Sequence, residues 1–319
     1  MADDCAGSDR HPVREPAPAA QGDLVGRILS GEAIAAGIRA ELRERIGGLA
    51  RKGIVPGLAI VRVGDDPASV SYVRQKERAA QGLGLLSATT VLPASTAEGE
   101  LLAVIASLNR DSRFHGVLVQ LPLPPGLFPE RVCAAVDSAK DVDCLHPENL
   151  GRLVRGDPYL LPCTPLAVQQ ILVRSGYPPA GKHVVIVGRS VLVGRPLSIL
   201  LSQKGPAGDA TVTVCHSATP DLGAFTRQAD ILVVAVGRPR MVTADMVREG
   251  AVVIDVGVNR VDDAAAPKGY RLVGDTQFEA LREKVAAITP VPGGVGPMTV
   301  TMLLVNTVAA CEAQAGKAR

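Results

Sequence analysis

Apolar and polar positions along the chain follow two rhythms, one of period near four and one of short continuous runs. After Ser30, Ile34, Ile38, Leu42 and Ile46 recur every four residues with Arg and Glu between them, which predicts a helix. Gly57–Val63 is apolar and rich in β-branched residues, so it predicts a strand. A second helix is expected after the Asp65-Asp66-Pro67 turn, with Ser69 as its N-cap. A strand over 89–92, a helix over 98–109 and a buried strand over 116–121 follow. Strands alternating with helices imply a parallel sheet covered on both faces.

Pro122, Pro124 and Pro125 interrupt this alternation, and a polar stretch runs over 140–157. A helix is expected from Thr164, with Pro165 in its first turn, up to Gly176. From Gly181 the alternation restarts, with strands over 183–188, Thr211–Cys215, 231–236 and 252–256 and a helix over 196–203. These strands are almost wholly apolar, as in a parallel sheet buried on both sides. A last helix, 298–311, follows a Pro/Gly-rich loop and can pack on either half. The fold class is therefore α/β with two domains, a catalytic one and a Rossmann-like dinucleotide-binding one, with a cleft between them. The boundary is expected near 160.

Composition narrows the class. A formal charge of +2 gives no electrostatic reason for a nucleic-acid or membrane partner, and the absence of Trp leaves little for base stacking. The six cysteines show no C-x-x-C pair, so they read as reduced thiols, and with dispersed histidines no metal site is expected. Residues 1–22 are polar, Ala/Pro-rich and without an apolar core, so a disordered tail and a cytoplasmic location are expected. No apolar stretch reads as long enough to span a bilayer.

The clearest chemistry lies at Val184-Val-Ile-Val-Gly188, where a strand runs into Arg189-Ser190 and then Gly194 at a helix start. Free backbone N–H groups and the helix dipole make such a turn an anion site for a dinucleotide. The spacing is not G-x-G-x-x-G, so context carries the reading. A dinucleotide with an unmodified ribose is usually held by an acid about 20 residues on. Here the second strand ends Cys215-His216-Ser217, with no acid. Ser217 and the Arg189 guanidinium suit a 2′-phosphate, so NADP is expected.

In the first half, Tyr72 and Lys76 stand at i and i+4 and share a helix face. Lys76 suits either a surface charge or a proton-transfer group whose pKa burial has lowered. Gln120 ends an apolar strand, where α/β enzymes place binding groups, though an edge amide fits equally. Asp141 and Asp143 read as turn formers in preference to metal ligands.

Together these segments resemble one family. Tyr72-Val-x-x-Lys76, Val119-Gln120-Leu121-Pro122-Leu-Pro124, Lys140-Asp-Val-Asp143 and Pro162-Cys-Thr-Pro165 occur in order. Val187-Gly188-Arg189-Ser190-x-x-Val-Gly194, Thr211-Val-Thr-x-Cys-His-Ser217 and Thr289-Pro-Val-Pro-Gly-Gly-Val-Gly-Pro-Met-Thr299 follow. Over 23–311 the chain is similar to the bifunctional methylenetetrahydrofolate dehydrogenase/methenyltetrahydrofolate cyclohydrolases. The resemblance implies NADP-dependent oxidation of 5,10-methylenetetrahydrofolate and hydrolysis of the methenyl product to 10-formyltetrahydrofolate, within purine-supplying one-carbon metabolism. It implies that Lys76 assists proton transfer, Gln120 tunes it, Tyr72 covers the folate and Asp143 binds the pterin. Leu121, Pro292, Gly293 and Gly294 would contact the substrate, and Gly188, Arg189, Ser190, Gly194 and Ser217 the cofactor. Residues 23–160 with 298–319 would form the folate domain, 161–297 the NADP domain, and two copies would pair. A dehydrogenase without hydrolase activity would need a change at Lys76, Tyr72 or Gln120, and a non-catalytic relative a broken site; neither is seen. One departure stands out: Cys144 occupies a position where the family has Gly, which would cost strain if its φ is positive.

Overall fold

The computed structural model describes residues 25–267 and 269–317, with the side chain of Lys317 left out; the expected tail over 1–22 lies outside the described residues. The chain opens with β1 (Arg27–Ile28) and α1 (Gly31–Ala50), where the Ser30 hydroxyl accepts the Ala33 N–H at 3.3 Å. Next come β2 (Gly57–Val63) and α2 (Pro67–Gln81). The cap of α2 is Asp66, not Ser69: its carboxylate accepts the Ser69 N–H at 2.8 Å, and Pro67 stands at the helix start. An acid placed just before a proline satisfies one orphan amide and puts the residue without an N–H where none is needed. β3 (Leu86–Leu92), α3 (Glu98–Arg110) and β4 (Gly116–Val119) complete a three-stranded parallel sheet of order β3-β2-β4.

The stretch expected to be irregular contains two short helices, α4 (Pro129–Ala134) and α5 (Pro147–Arg155). Both are too brief for periodicity to reveal, although each starts at a proline. α6 (Cys163–Arg174), β5 (His183–Val187), α7 (Gly194–Ser202), β6 (Thr211–Cys215), α8 (Leu222–Thr226), β7 (Ile231–Val234) and β8 (Val252–Asp255) follow. Then come β9 (Asn259–Asp262), β10 (Tyr270–Val273), α9 (Phe278–Arg282), β11 (Ala287–Ile288) and α10 (Val295–Lys317). The second sheet is parallel with order β1-β11-β8-β7-β5-β6, while β9 and β10 form a separate antiparallel pair. β1 thus belongs to the second sheet although it precedes the first domain: Arg27 and Ile28 pair with Ala287 and Ile288. Two residues carry no readable period, which is why the expectation that 23–160 form one unit missed it.

α10 begins at Val295, three residues before the expected start, and packs against α1, α2, α6 and β4. By length and composition it could cross a membrane, contrary to the expectation that no stretch is long enough. Most of its apolar window is instead buried inside the protein. One apolar cluster runs through it, from Leu58, Ile60 and Leu118 of the first sheet, past Met298, Met302 and Leu303, to Val184, Ile186 and Val233 of the second. Each sheet keeps a separate core on its other face, around Val61, Ile105 and Val119 in the first and Val185, Leu232 and Val253 in the second.

This topology fixes where ligands can sit. β5 is flanked by β6 on one side and β7 on the other, and β2 by β3 and β4. In open parallel sheets, the crevice at the C-terminal ends beside such a reversal is the binding position. Gly188 follows β5 at the first reversal, and Gln120 follows β4, the strand beside β2 at the second.

Candidate active site

Tyr72 and Lys76 lie one turn apart on α2, with the Tyr72 ring exposed and Lys76 half-buried. Lys76 Nζ donates to Gln120 Oε1 at 2.9 Å. Gln120 is buried just past the end of β4; its backbone N–H reaches the Val61 carbonyl at 2.8 Å and its Nε2 donates to the Leu121 carbonyl at 2.6 Å. With both ends of the amide engaged, Oε1 has a fixed aim at the ammonium. Burial lowers the pKa of Lys76 below 10.5, while the Asp143 carboxylate and the Cys163 sulfur push it back up. Lys76, Gln120 and Asp143, far apart in the chain, therefore share one neighbourhood.

Asp143 sits in the loop before α5, and that loop is pinned from several sides. The buried Asp141 carboxylate accepts the Leu145 and His146 N–H groups at 3.1 and 2.8 Å and the Asn149 amide at 2.9 Å, so Asp141 is a turn former. Asn306 of α10 donates to the carbonyls of Val142 and Leu161, both at 2.8 Å. Cys144 has φ +60 and is fully buried, with Sγ 3.3 Å from the Leu160 carbonyl. The departure from glycine thus falls at a left-handed position, and it is tolerated there with its side chain packed. Burial pushes the Cys144 thiol pKa up, which removes it as a nucleophile.

A cavity of about 220 Å³ opens beside Tyr72, lined by Tyr72, Gln75, Asp255, Val256, Pro292, Gly293 and Gly294 among others. The 290–297 loop is anchored where the Gly293 carbonyl accepts the Gly31 N–H at 2.9 Å. Tyr72, Pro292, Gly293 and Gly294 all line this cavity, whereas Lys76, Gln120 and Asp143 are not among its lining residues. Leu121 is half-buried beside Gln120, outside that lining.

The second cavity, about 440 Å³, lies at the end of β5 and is lined by Val187, Gly188, Arg189, Ser190, His216, Ser217, Thr219, Ala235, Val236 and Arg238, among others. Gly188 has φ +128, and a Cβ there would stand 2.3 Å from the Ala235 carbonyl oxygen. A Cβ on Gly194 would stand 2.0 Å from the Gly188 carbonyl oxygen, so the turn closes only between two glycines. Gly194 is buried at the start of α7 and shapes the turn without lining the cavity. Ser190 both lines the cavity and accepts the Val193 N–H at 3.1 Å. No carboxylate is among the residues lining this cavity, whereas Arg189, Arg238 and Ser217 are. The donor set fits a dinucleotide carrying a 2′-phosphate.

Two site residues escaped the sequence reading. Asp255 ends the buried strand β8 and lines the folate-side cavity, the same signal that singled out Gln120. Arg238 lines the dinucleotide cavity from a turn that carries no recognisable motif. Among the described residues, no three His, Cys, Asp or Glu side chains are grouped to hold a metal.

A parallel-sheet domain with a glycine turn, joined to a second parallel-sheet domain that holds a Lys76–Gln120 pair, is the arrangement of a dinucleotide-dependent enzyme. The family models described as tetrahydrofolate dehydrogenase/cyclohydrolase match the chain twice, the catalytic domain over 29–143 and the NAD(P)-binding domain over 162–315. The chain belongs to the tetrahydrofolate dehydrogenase/cyclohydrolase family. It is an oxidoreductase and hydrolase of one-carbon tetrahydrofolates. The bifunctional protein FolD of Syntrophus aciditrophicus is 52% identical over 91% of this chain and 98% of its own. The crystal structure of the bifunctional FolD dehydrogenase/cyclohydrolase from Campylobacter jejuni superposes with TM-score 0.84 at 45% identity, covering 90% of this chain and 99% of that one. The Trypanosoma brucei enzyme, solved with NADP and an inhibitor, gives TM-score 0.86 at 41% identity, covering 91% and 98%.

Proposed function

We propose that the Lys76–Gln120 pair performs the proton transfer of cyclohydrolysis and that the turn at Gly188 holds NADP for the oxidation. The observation that carries this is the 2.9 Å bond from Lys76 Nζ to Gln120 Oε1, beside a carboxylate at Asp143 and below an exposed tyrosine. Asp143 binds the donor edge of the pterin, and Tyr72 lies over the folate. NADP⁺, when bound, accepts a hydride from the methylene bridge. Arg189 and Ser217 would hold its 2′-phosphate, and the amides at the start of α7 would serve its diphosphate. Loss of hydride leaves a methenyl cation, and water adds to its bridging carbon. The bond from that carbon to N5 breaks, the formyl group stays on N10 and a proton from the water ends on N5. Lys76 Nζ moves the proton of that water, and Gln120 keeps Nζ aimed. Because burial lowers the lysine pKa, neutral amine exists at lower pH than for a free lysine. Hydrolysis is therefore expected to rise with pH as Lys76 loses its proton, with the midpoint of that rise below 10.5.

The chain works in the cytoplasm as a homodimer, with folate substrates as its partners, neither nucleic acid nor membrane, and its formyl product supplies purine biosynthesis. Support comes from the described cysteines, which are all free, and from β6, whose outer edge pairs with no described strand. The test is an absorbance assay with methylenetetrahydrofolate and either NADP⁺ or NAD⁺, following methenyl formation and decay. Formation with NADP⁺ followed by decay is expected. Formation without decay, or a preference for NAD⁺, contradicts the assignment. Sedimentation of the purified protein as a monomer contradicts the dimer.

A further inference from the structure

The dinucleotide cavity has a second guanidinium, and the fold holds the turn that carries it. Val236, Gly237 and Arg238 form the turn after β7, and Ala235, Val236 and Arg238 line the cavity opposite Arg189 and Ser217. A single buried side chain fixes that turn. Asp275 is wholly buried; its Oδ2 accepts the Val236 and Gly237 N–H groups at 2.7 and 3.0 Å, and its Oδ1 accepts the Arg238 N–H at 2.8 Å. The Asn259 amide donates to the same Oδ1 at 2.8 Å. Four donors on one carboxylate, three of them consecutive backbone amides, leave that turn little freedom.

Asp275 is itself held. Its own N–H donates to Asp255 Oδ1 at 3.0 Å, and Asp255 Oδ2 accepts the Thr276 N–H and hydroxyl at 2.8 and 2.7 Å. The carboxylate of Asp275 fits because position 257 is glycine: a Cβ there would stand 2.2 Å from its Cγ. Asp275 does not line the dinucleotide cavity, so it can act on bound cofactor only through the turn. No side chain among the described residues is bonded to the Arg238 guanidinium, which is exposed at the cavity rim. Its neighbour Arg240 instead lines a different cavity, with Arg271 and Phe278.

We propose that Arg238 is a second cation for the phosphates of the dinucleotide and that Asp275 is the positioning residue that holds it there. This rests on the reading of the cavity as the NADP site. A guanidinium pairs with phosphate through charge-assisted bonds, and its value depends on being placed before the ligand arrives. Asn at 275 keeps the size but has one acceptor oxygen in place of two, so it cannot serve all three turn amides and Asn259.

The experiment measures KM for NADP⁺, NADPH binding by fluorescence, and hydrolysis of methenyltetrahydrofolate without dinucleotide, in Arg189→Ala, Arg238→Ala, Asp275→Asn and the 238/275 double variant. Arg238→Ala is expected to raise KM and the NADPH dissociation constant about tenfold, the loss of one charge-assisted contact. Asp275→Asn is expected to do the same, with hydrolysis kept within about twofold of wild type. If Asp275 acts through Arg238, the double variant loses no more than the worse single one. Unchanged NADPH binding in Arg238→Ala, additive losses in the double variant, or equal loss of both activities in Asp275→Asn overturns the inference. Should Asp275→Asn not fold, Asn259→Ala removes one donor from Oδ1, and a rise in KM for NADP⁺ is expected; no rise overturns the positioning role. Arg189→Ala separates the levels: if it too leaves NADPH binding unchanged, the cavity reading itself fails.

Discussion

The folate half and the dinucleotide half build their sites from different material. In the first, the working groups are side chains brought from α2, from the end of β4 and from the loop before α5, and one of them is a half-buried lysine whose pKa is lowered. In the second, the working surface is largely backbone: a turn from Gly188 to Gly194 that admits no Cβ at either end, with charged groups at the rim. A side-chain site loses function by exchange of a functional group while the backbone stays put. A backbone site loses function by added bulk, even where no functional group changes.

The strongest attempt to break this comparison is Gly188→Ala. The new methyl group would meet the Ala235 carbonyl oxygen at 2.3 Å on a backbone with φ +128, so the turn must move. NADP-dependent oxidation is expected to fall more than about a hundredfold, roughly 3 kcal/mol of transition-state binding. Methenyl hydrolysis, assayed without dinucleotide, should persist; equal loss of both would show that the halves are not separable. Arg189→Ala tests the rim in the same half. It should weaken NADP about ten- to a hundredfold, in line with the loss of hydrogen bonds to a charged group, and NAD much less. Equal weakening of both would remove the 2′-phosphate assignment.

The smallest effect is expected at Cys144→Gly. Relief of the left-handed conformation contributes about 1–2 kcal/mol, and the loss of a buried side chain costs about as much. Thermal melting should shift by a few degrees at most. The KM for folate should stay the same or improve, because Asp143 remains pinned through Asp141 and Asn306. A large rise in that KM would mean that the Cys144 side chain itself sets Asp143.

The same contrast explains what could be read from the sequence. The turn at Gly188 was legible because strand, glycines and helix start are contiguous, and no tertiary information is needed to join them. Tyr72 and Lys76 share a face through local helix geometry alone. The bond from Lys76 to Gln120 spans 44 positions and depends on the parallel pairing of β2 with β4, so chemistry identified the residues but only folding joined them. β1 and β11 are two residues each and carry no period, which hid the crossing of the N-terminal segment into the second sheet. The Asp66 cap was misplaced by three residues because serine and aspartate compete for that role, and only the geometry shows that Ser69 donates. Arg238 was invisible because its placement is set by Asp275, 37 positions away.

Proton transfer at Lys76 is separable from dinucleotide binding. The most direct measurement is the decay of added methenyltetrahydrofolate in Lys76→Met, together with NADPH binding by the same protein. Hydrolysis is expected to fall to the uncatalysed rate while NADPH binding matches wild type. Hydrolysis at the wild-type rate in a folded Lys76→Met protein would contradict proton transfer at Lys76.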